Sequence, residues 1–191
     1  MTALILNIPQ NIQLNDEQFF QLCQVNRDLR FERTATGELI IMLPTGGGTG
    51  RHNSGINAQL WLWNQQAQLG EVFDSSTGFK LPNGADRSPD ASWVSTEKWN
   101  ALTPEQQERF LPLCPDFVIE LRSPSDSLQS LQDKMQEYID NGTRLGWLIN
   151  RQNRQVEIYR QDREKEVLNN PTTLSGEDVL PGFILNMELV W

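Results

Sequence analysis

Four ionisable residues in the second half of the chain have the types and spacing either to hold a divalent cation or to form buried ion pairs. They are Asp90 in SPDASWV, Asp116 and Glu120 in CPDFVIEL, and Lys134 in LQDKMQEY. Carboxylates are the hard oxygen donors that such cations take. On a strand alternate residues share a face, so Glu120 and Arg122 point one way while Ile119 and Leu121 point the other. Phe117, Val118, Ile119 and Leu121 mark this strand as largely buried. An acid in such a setting costs free energy unless it is paired, protonated or metal-bound, so Glu120 needs a partner. A structural ion pair with Arg122 or Lys134 satisfies it, as does a cation shared with Asp90 or Asp116. On these residues alone the ion pair is the commoner arrangement.

The elements that must position these groups follow from periodicity. LQSLQDKMQEYIDNG places Leu128, Leu131, Met135 and Tyr138 at helical spacing and ends at Asn141-Gly142. Lys134, roughly two turns into that helix, stands beside its apolar stripe and can lean back over the sheet end toward Glu120. A solvated helix lysine is the ordinary alternative.

Upstream, Asn15 or Asp16 can cap a first helix of about three turns whose apolar face is Phe19, Phe20, Leu22, Cys23 and Val25. A hairpin with Gly37 at its turn follows. PTGGGTG, residues 44–50, lacks the phosphate-loop pattern, since Arg51 and His52 follow Gly50, and reads as a flexible lead-in to a long core helix that stops at Gly70. Two strands, EVFDSSTGFKLP and PDASWVS, precede a surface excursion with a short helix starting after Thr103. TRLGWLIN reads as a buried strand, QVEIYRQ and REKEVLN as a hairpin, and FILNMELVW as further β-structure. The order predicts a single mixed α/β (α+β) domain over residues 1–191.

Composition sets outer limits. The chain of 191 residues is 38% hydrophobic, enough for one real core. No apolar run reaches the roughly 18 residues of a membrane span, and MTALILNIPQ has no leader pattern, so a cytoplasmic protein is expected. Cys23 and Cys114 lie too far apart for a CxxC site and read as buried thiols. A formal net charge of −9 counts against nonspecific attraction to a polyanion, although a bound cation reverses the local effect of acids. Trp61, Trp63, Trp93 and Trp147 read as packing residues rather than base-stacking platforms.

Taken together, GELIIMLPTGGGTGRHNSGINAQL, RSPDASWV, PDFVIELRSPSD, DKMQEY and NGTRLGWLIN resemble the ordered landmarks of the PD-(D/E)XK nuclease superfamily, and within it the Uma-two family, over roughly residues 15–190. The resemblance implies a restriction endonuclease-like core, a mixed β-sheet flanked by helices, preceded by an N-terminal helix and hairpin. It implies hydrolysis of DNA phosphodiester bonds, with Mg²⁺ or Mn²⁺ held by Asp90 and Glu120, and a homodimer acting on duplexes. The lysine position two residues after Glu120 is Arg122 here, and the resemblance moves that role to Lys134 on the next helix. Arg122 is then left to clamp a phosphate or pair with an acid, because guanidinium does not serve as a base. His52 and Gln59 become weaker candidates for substrate contact. Asp116 is four residues from Glu120 on one strand, roughly 13 Å away when extended, whereas Asp90 can approach from a neighbouring strand about 5 Å across. The alternative is a nuclease fold that has lost catalysis and serves as a structural or interaction module.

Overall fold

A computed structural model describes residues 3–9 and 12–191; Met1, Thr2 and Gln10 of the N-terminal stretch read for a leader lie outside them. The chain runs through β1 (Ala3–Leu6), α1 (Asp16–Val25), β2 (Arg30–Arg33), β3 (Leu39–Met42), α2 (Gly47–Ala67), β4 (Gly70–Asp74), β5 (Phe79–Lys80), β6 (Asp86–Arg87) and β7 (Ala91–Ser95). It continues through α3 (Thr96–Asn100), α4 (Pro104–Gln107), β8 (Phe117–Leu121), α5 (Leu128–Asp140), β9 (Leu145–Asn150), β10 (Gln155–Arg160), β11 (Glu166–Asn169), β12 (Thr173–Ser175), β13 (Ile184–Asn186) and a 3-10 turn at Met187–Leu189. The expected mixed α/β architecture is present.

A six-stranded sheet, ordered β11-β10-β9-β8-β7-β4, is the centre. The β8 and β9 strands are parallel, joined by α5 as crossover, and their neighbours pair antiparallel. Alternation along β8 gives each face its own core. Phe117, Ile119 and Leu121 pack with Ile56 and Leu60 of α2 and with Phe183, Leu185 and Val190 of the C-terminal segment. Val118 packs on the other face with Met135, Tyr138 and Ile139 of α5, and with Phe79 and Leu81. A second sheet, β1-β3-β2-β6-β5, carries the hairpin and borders the α5 side.

Local chemistry explains most boundaries. Asn15 caps α1 in a capping box with Gln18, Thr103 caps α4 in another with Gln106, and Gly142 at φ +109° follows α5. Several expectations are corrected. In α1 Phe19 is buried and Phe20, Leu22 and Cys23 are half-buried, so the expected apolar face is present except at Val25, which is 79% exposed. The glycine run is not a lead-in: α2 begins at Gly47 and takes Gly47, Gly48 and Gly50 into its first turns. The same helix ends three residues before Gly70, with Gln68 in the left-handed conformation as its cap. Trp61 is 51% exposed, and Cys23 is only half-buried while Cys114 is buried.

Gly70 opens β4 for a steric reason: a Cβ there would sit 2.1 Å from the Val94 carbonyl and 2.6 Å from the Trp93 ring. Gly70→Ala is expected to cost about 1–3 kcal/mol, read by urea unfolding. Gly48→Ala meets open space and should stabilise by up to about 1 kcal/mol, since alanine favours the helix. Equal effects at the two positions would refute this account of β4.

Candidate active site

Three element ends converge around the acids. Ala91 pairs with Ile119 across the antiparallel β7–β8 ladder, so one further step sets Asp90 opposite Glu120. There the Asp90 side chain replaces the next ladder bond: the Leu121 N–H donates to Oδ2 at 2.8 Å. From α2, Asn53 Nδ2 donates to Asp90 Oδ1 at 2.7 Å, and Asn57 Nδ2 donates to the Asp90 carbonyl at 3.0 Å. The i,i+4 spacing puts both amides on one helix face, and both amide oxygens are buried without a partner.

Glu120 turns to the α5 side. Lys134 Nζ stands 2.8 Å from Glu120 Oε1, and the Tyr138 hydroxyl donates to the same oxygen at 3.1 Å. The same ammonium donates to Glu32 Oε1 at 2.7 Å. Glu32, on β2, also accepts from the Ser88 N–H at 2.9 Å and pairs with Arg87 at 3.2 Å; Arg87 in turn reaches Glu137 at 2.5 Å. The three carboxylates are nearly closed to solvent, with Glu32 3%, Glu120 4% and Asp90 7% exposed.

Burial dominates the protonation of this group. It pushes the Glu120 carboxyl up to about 7, with Lys134 opposing and the neighbouring Asp90 and Glu32 charges reinforcing. Burial likewise raises Asp90, against its bonds from Asn53 and Leu121. For Lys134 burial works against the charge, but Glu120 and Glu32 outweigh it and hold the ammonium well above its ordinary value. Lys134 is therefore a fixed cation and not a base. For Glu32 burial is again the largest influence, and Lys134 with Arg87 overcomes it, keeping the carboxyl below its ordinary value.

A cleft of about 280 Å³ opens beside this group, lined by Thr49, Asn53, Asp90, Leu121, Ser123 and Asp126 among others. Asp90 faces it, while Glu120 and Lys134 lie behind.

Asp90, Glu120 and Lys134 are thus brought together, and the other candidates are not. Asp116 sits at the opposite end of β8, where it pairs with Lys98 at 3.0 Å and accepts from the Ser95 N–H at the start of α3. Arg122 does not neutralise Glu120; its Nε donates to the Asp126 carbonyl at 3.2 Å. Gln59 exchanges hydrogen bonds with the Asn186 backbone. His52 is buried against the backbone at Leu189 and near Arg151, and it does not line the cleft. Sequence reasoning missed Glu32, Asn53, Arg87 and the hydroxyl role of Tyr138. The available signals were the i,i+4 pair Asn53 and Asn57 beside the buried Ile56 and Leu60, and Tyr138 one turn beyond Lys134.

The family model described as "Uma2: Putative restriction endonuclease" matches residues 16–188. The chain belongs to the Uma2 family. No curated protein matches it. Among solved structures it is similar to a crystal structure from Anabaena variabilis described as "a putative nuclease belonging to DUF820", with TM-score 0.72 and 20% identity, covering 84% of this chain and 89% of that one. That likeness shows a shared fold. Among the described residues, no helix is long and apolar enough to cross a membrane.

The donor set of this Uma2 chain fits a hard divalent cation. Asp90 and Glu120 would supply carboxylate oxygens, and the Asn53 amide, whose oxygen is buried without a partner, adjoins Asp90. Burial raises both Asp90 and Glu120, so without an ion the group tends to hold a proton, which a bound divalent cation would displace. Among the described residues no group of three or more histidine, cysteine, aspartate or glutamate side chains is placed to hold a metal ion, so the set offers two carboxylates and no more. Magnesium binds through one or two carboxylates and keeps several waters, as this set allows.

A folded-state pKa near 7, raised from 4.5, means the native state holds the Glu120 proton more tightly than the unfolded chain. That contribution is complete below the unfolded value and is lost as pH rises through the folded one. Glu120→Gln, which loses nothing on this ground, is expected to gain stability relative to wild type between about pH 5 and pH 8 in EDTA. A stability difference that stays constant across that range, by urea denaturation, would contradict the raised acid.

Proposed function

We propose that the chain, acting as one restriction endonuclease-like unit, hydrolyses DNA phosphodiester bonds with a divalent cation, Mg²⁺ or Mn²⁺, held by Asp90 and Glu120. The observation that carries this reading is the meeting of Asp90 and Glu120 across the β7–β8 ladder with the charged Lys134 bonded to Glu120. Membership of the Uma2 family supports it. When bound, such an ion supplies charge neutralisation at the phosphoryl group and acidifies a water.

The chain's own groups do the rest. Asn53 and the Leu121 N–H hold the Asp90 carboxylate at the cleft. Glu32 and Glu120 take two of the three Lys134 N–H donors, leaving one for a phosphoryl oxygen or the attacking water. A fixed ammonium at that point stabilises charge that develops on the phosphate without reorganising. Glu32 and Arg87 act as positioning residues for Lys134. With burial pushing Glu120 up to about 7, cation binding would release a proton and tighten as pH rises through that value. The two strands of a duplex run oppositely, so a twofold homodimer would present one site to each.

A second reading has its own observation. Lys134 already bridges two carboxylates, as it would in a purely structural network of an inactive nuclease fold. Cleavage separates the two. Supercoiled plasmid with Mg²⁺ or Mn²⁺ should be nicked or linearised, with Asp90→Asn, Glu120→Gln and Lys134→Met each slower by about 10²-fold or more. Linear product without an accumulating nicked form marks the dimer. Wild-type rates in all three variants would leave the structural reading standing alone.

A further inference from the structure

The glycines that open α2 serve nothing inside the chain. Gly46, Gly47 and Gly48 do not take a positive φ, and a Cβ added at any of them meets no atom within 4 Å. Neither a turn conformation nor close packing requires glycine there, and only proline is a poorer helix former. What bare backbone offers at such a place is close approach from outside.

The approach would be to free donors. The Gly50 N–H donates to the Gly46 carbonyl at 3.1 Å as α2 begins, and Gly46 caps it without a side-chain hydrogen bond. Among the described residues the N–H groups of Gly47, Gly48 and Thr49 therefore have no partner. They stand at the positive end of a 21-residue helix with no acid in its first turn. This end opens on the Asp90 cleft, which Pro44, Thr45, Thr49 and Asn53 help to line.

Thr49 is an independent mark of a ligand. It lines the cleft and is only 9% exposed, yet among the described residues its hydroxyl has no hydrogen-bond partner. It stands one helical turn, about 6 Å, before Asn53, whose amide holds Asp90. Arg30 lines the same cleft and supplies a cation. Its Nη1 donates to the Ser75 carbonyl at 3.2 Å and to the Ser75 hydroxyl at 2.8 Å, and among the described residues it pairs with no acid. Asp28 and Asp126 also line the cleft. Asp126 Oδ2 accepts from the Ser123 N–H at 2.9 Å, and Asp28 is exposed, where salt screens its charge.

We propose that the first turn of α2, the Thr49 hydroxyl and Arg30 seat a phosphate of the nucleic-acid strand whose phosphodiester is presented to Asp90. The seat rests on the nuclease reading for its ligand. Helix-start N–H groups, a hydroxyl and a guanidinium are all donors to phosphate oxygens. They read no base, so the seat fixes the position of the strand and not its sequence.

Full-length protein in EDTA is titrated with a short DNA duplex by fluorescence anisotropy across a range of salt, and with inorganic phosphate by calorimetry. Thr49→Val keeps the shape and loses the hydroxyl, and it is expected to weaken duplex binding by about tenfold, while Thr49→Ser keeps wild-type affinity. Arg30→Gln should lower the salt slope by about 0.9, one phosphate's worth. In Gly47→Ala and Gly48→Ala the new methyl tilts toward the helix start, so each should weaken the duplex by about tenfold while urea stability holds or rises. A structural role for these glycines would move stability and binding down together, and that result overturns the seat. Wild-type affinity in Thr49→Val and both glycine variants overturns it too, even where Arg30→Gln weakens binding. Variant-sensitive binding of inorganic phosphate without binding of duplex assigns the seat to a small anion and overturns the nucleic-acid assignment. Plasmid cleavage with unaltered duplex affinities sinks the seat alone, and variant-sensitive duplex binding without cleavage sinks hydrolysis alone.

Discussion

The ammonium of Lys134 is the joint on which the site depends. It ties α5 to Glu120 in the central sheet and to Glu32 in the smaller one, so three elements share one buried charge. Buried ions lose much of their hydration, and their mutual attraction repays this only when the remaining donors and acceptors are also met. Here they are met. Glu32 takes Lys134, Arg87 and the Ser88 N–H, and Glu120 takes Lys134 and the Tyr138 hydroxyl. The network fixes where α5 sits over β8 as firmly as an apolar contact would, and unlike one it leaves a protonated amine facing an acid.

Strand alternation explains how β8 can do this and still be core. Every residue of the strand is buried, yet its odd positions serve the α2 face and its even positions the α5 face. Glu120 is the last even position, next to the strand's end, where β7 has run out and Asp90 accepts the Leu121 N–H in place of a backbone carbonyl. Asp116 lies at the other end of the strand and serves it by a different chemistry, accepting at the start of α3 and pairing with Lys98. The same residue type one strand-length away is thus structural because its neighbours are a helix start and a lysine, not a second acid.

What could be read from the sequence was whatever depends on near neighbours in the chain. Glu120 and Lys134 belong to one strand-helix unit, and Asp90 follows from its own strand, so their chemistry was visible before their contact was; Tyr138 was visible only as a packing residue. Glu32 was invisible because its partners are Arg87 and Lys134, 55 and 102 residues away, and no local pattern of RFER separates a buried acid from a solvated one. Helix ends were misjudged for a related reason. Three glycines look like a loop on propensity, but the packing of Thr49, His52 and Ile56 continues α2 back through them. Gln68 takes a left-handed cap that glycine would take more easily, while Gly70 is kept for the space it leaves beside Trp93.

Net charge says little about where the acids act. Asp86 pairs with Arg33, Glu32 with Lys134 and Arg87, Glu157 with Lys165 and Glu177 with Arg160, so these charges cancel, and the −9 is the surplus of 25 acids over 16 basic residues. A charge so paired contributes little field beyond its partner, whereas the unneutralised surplus is local. Around Asp90 and Glu120 burial answers that surplus by raising both carboxyls, so they hold protons more readily than free acids do. A divalent cation bound there would meet acids already stripped of hydration, a local property that the total charge of the chain does not report.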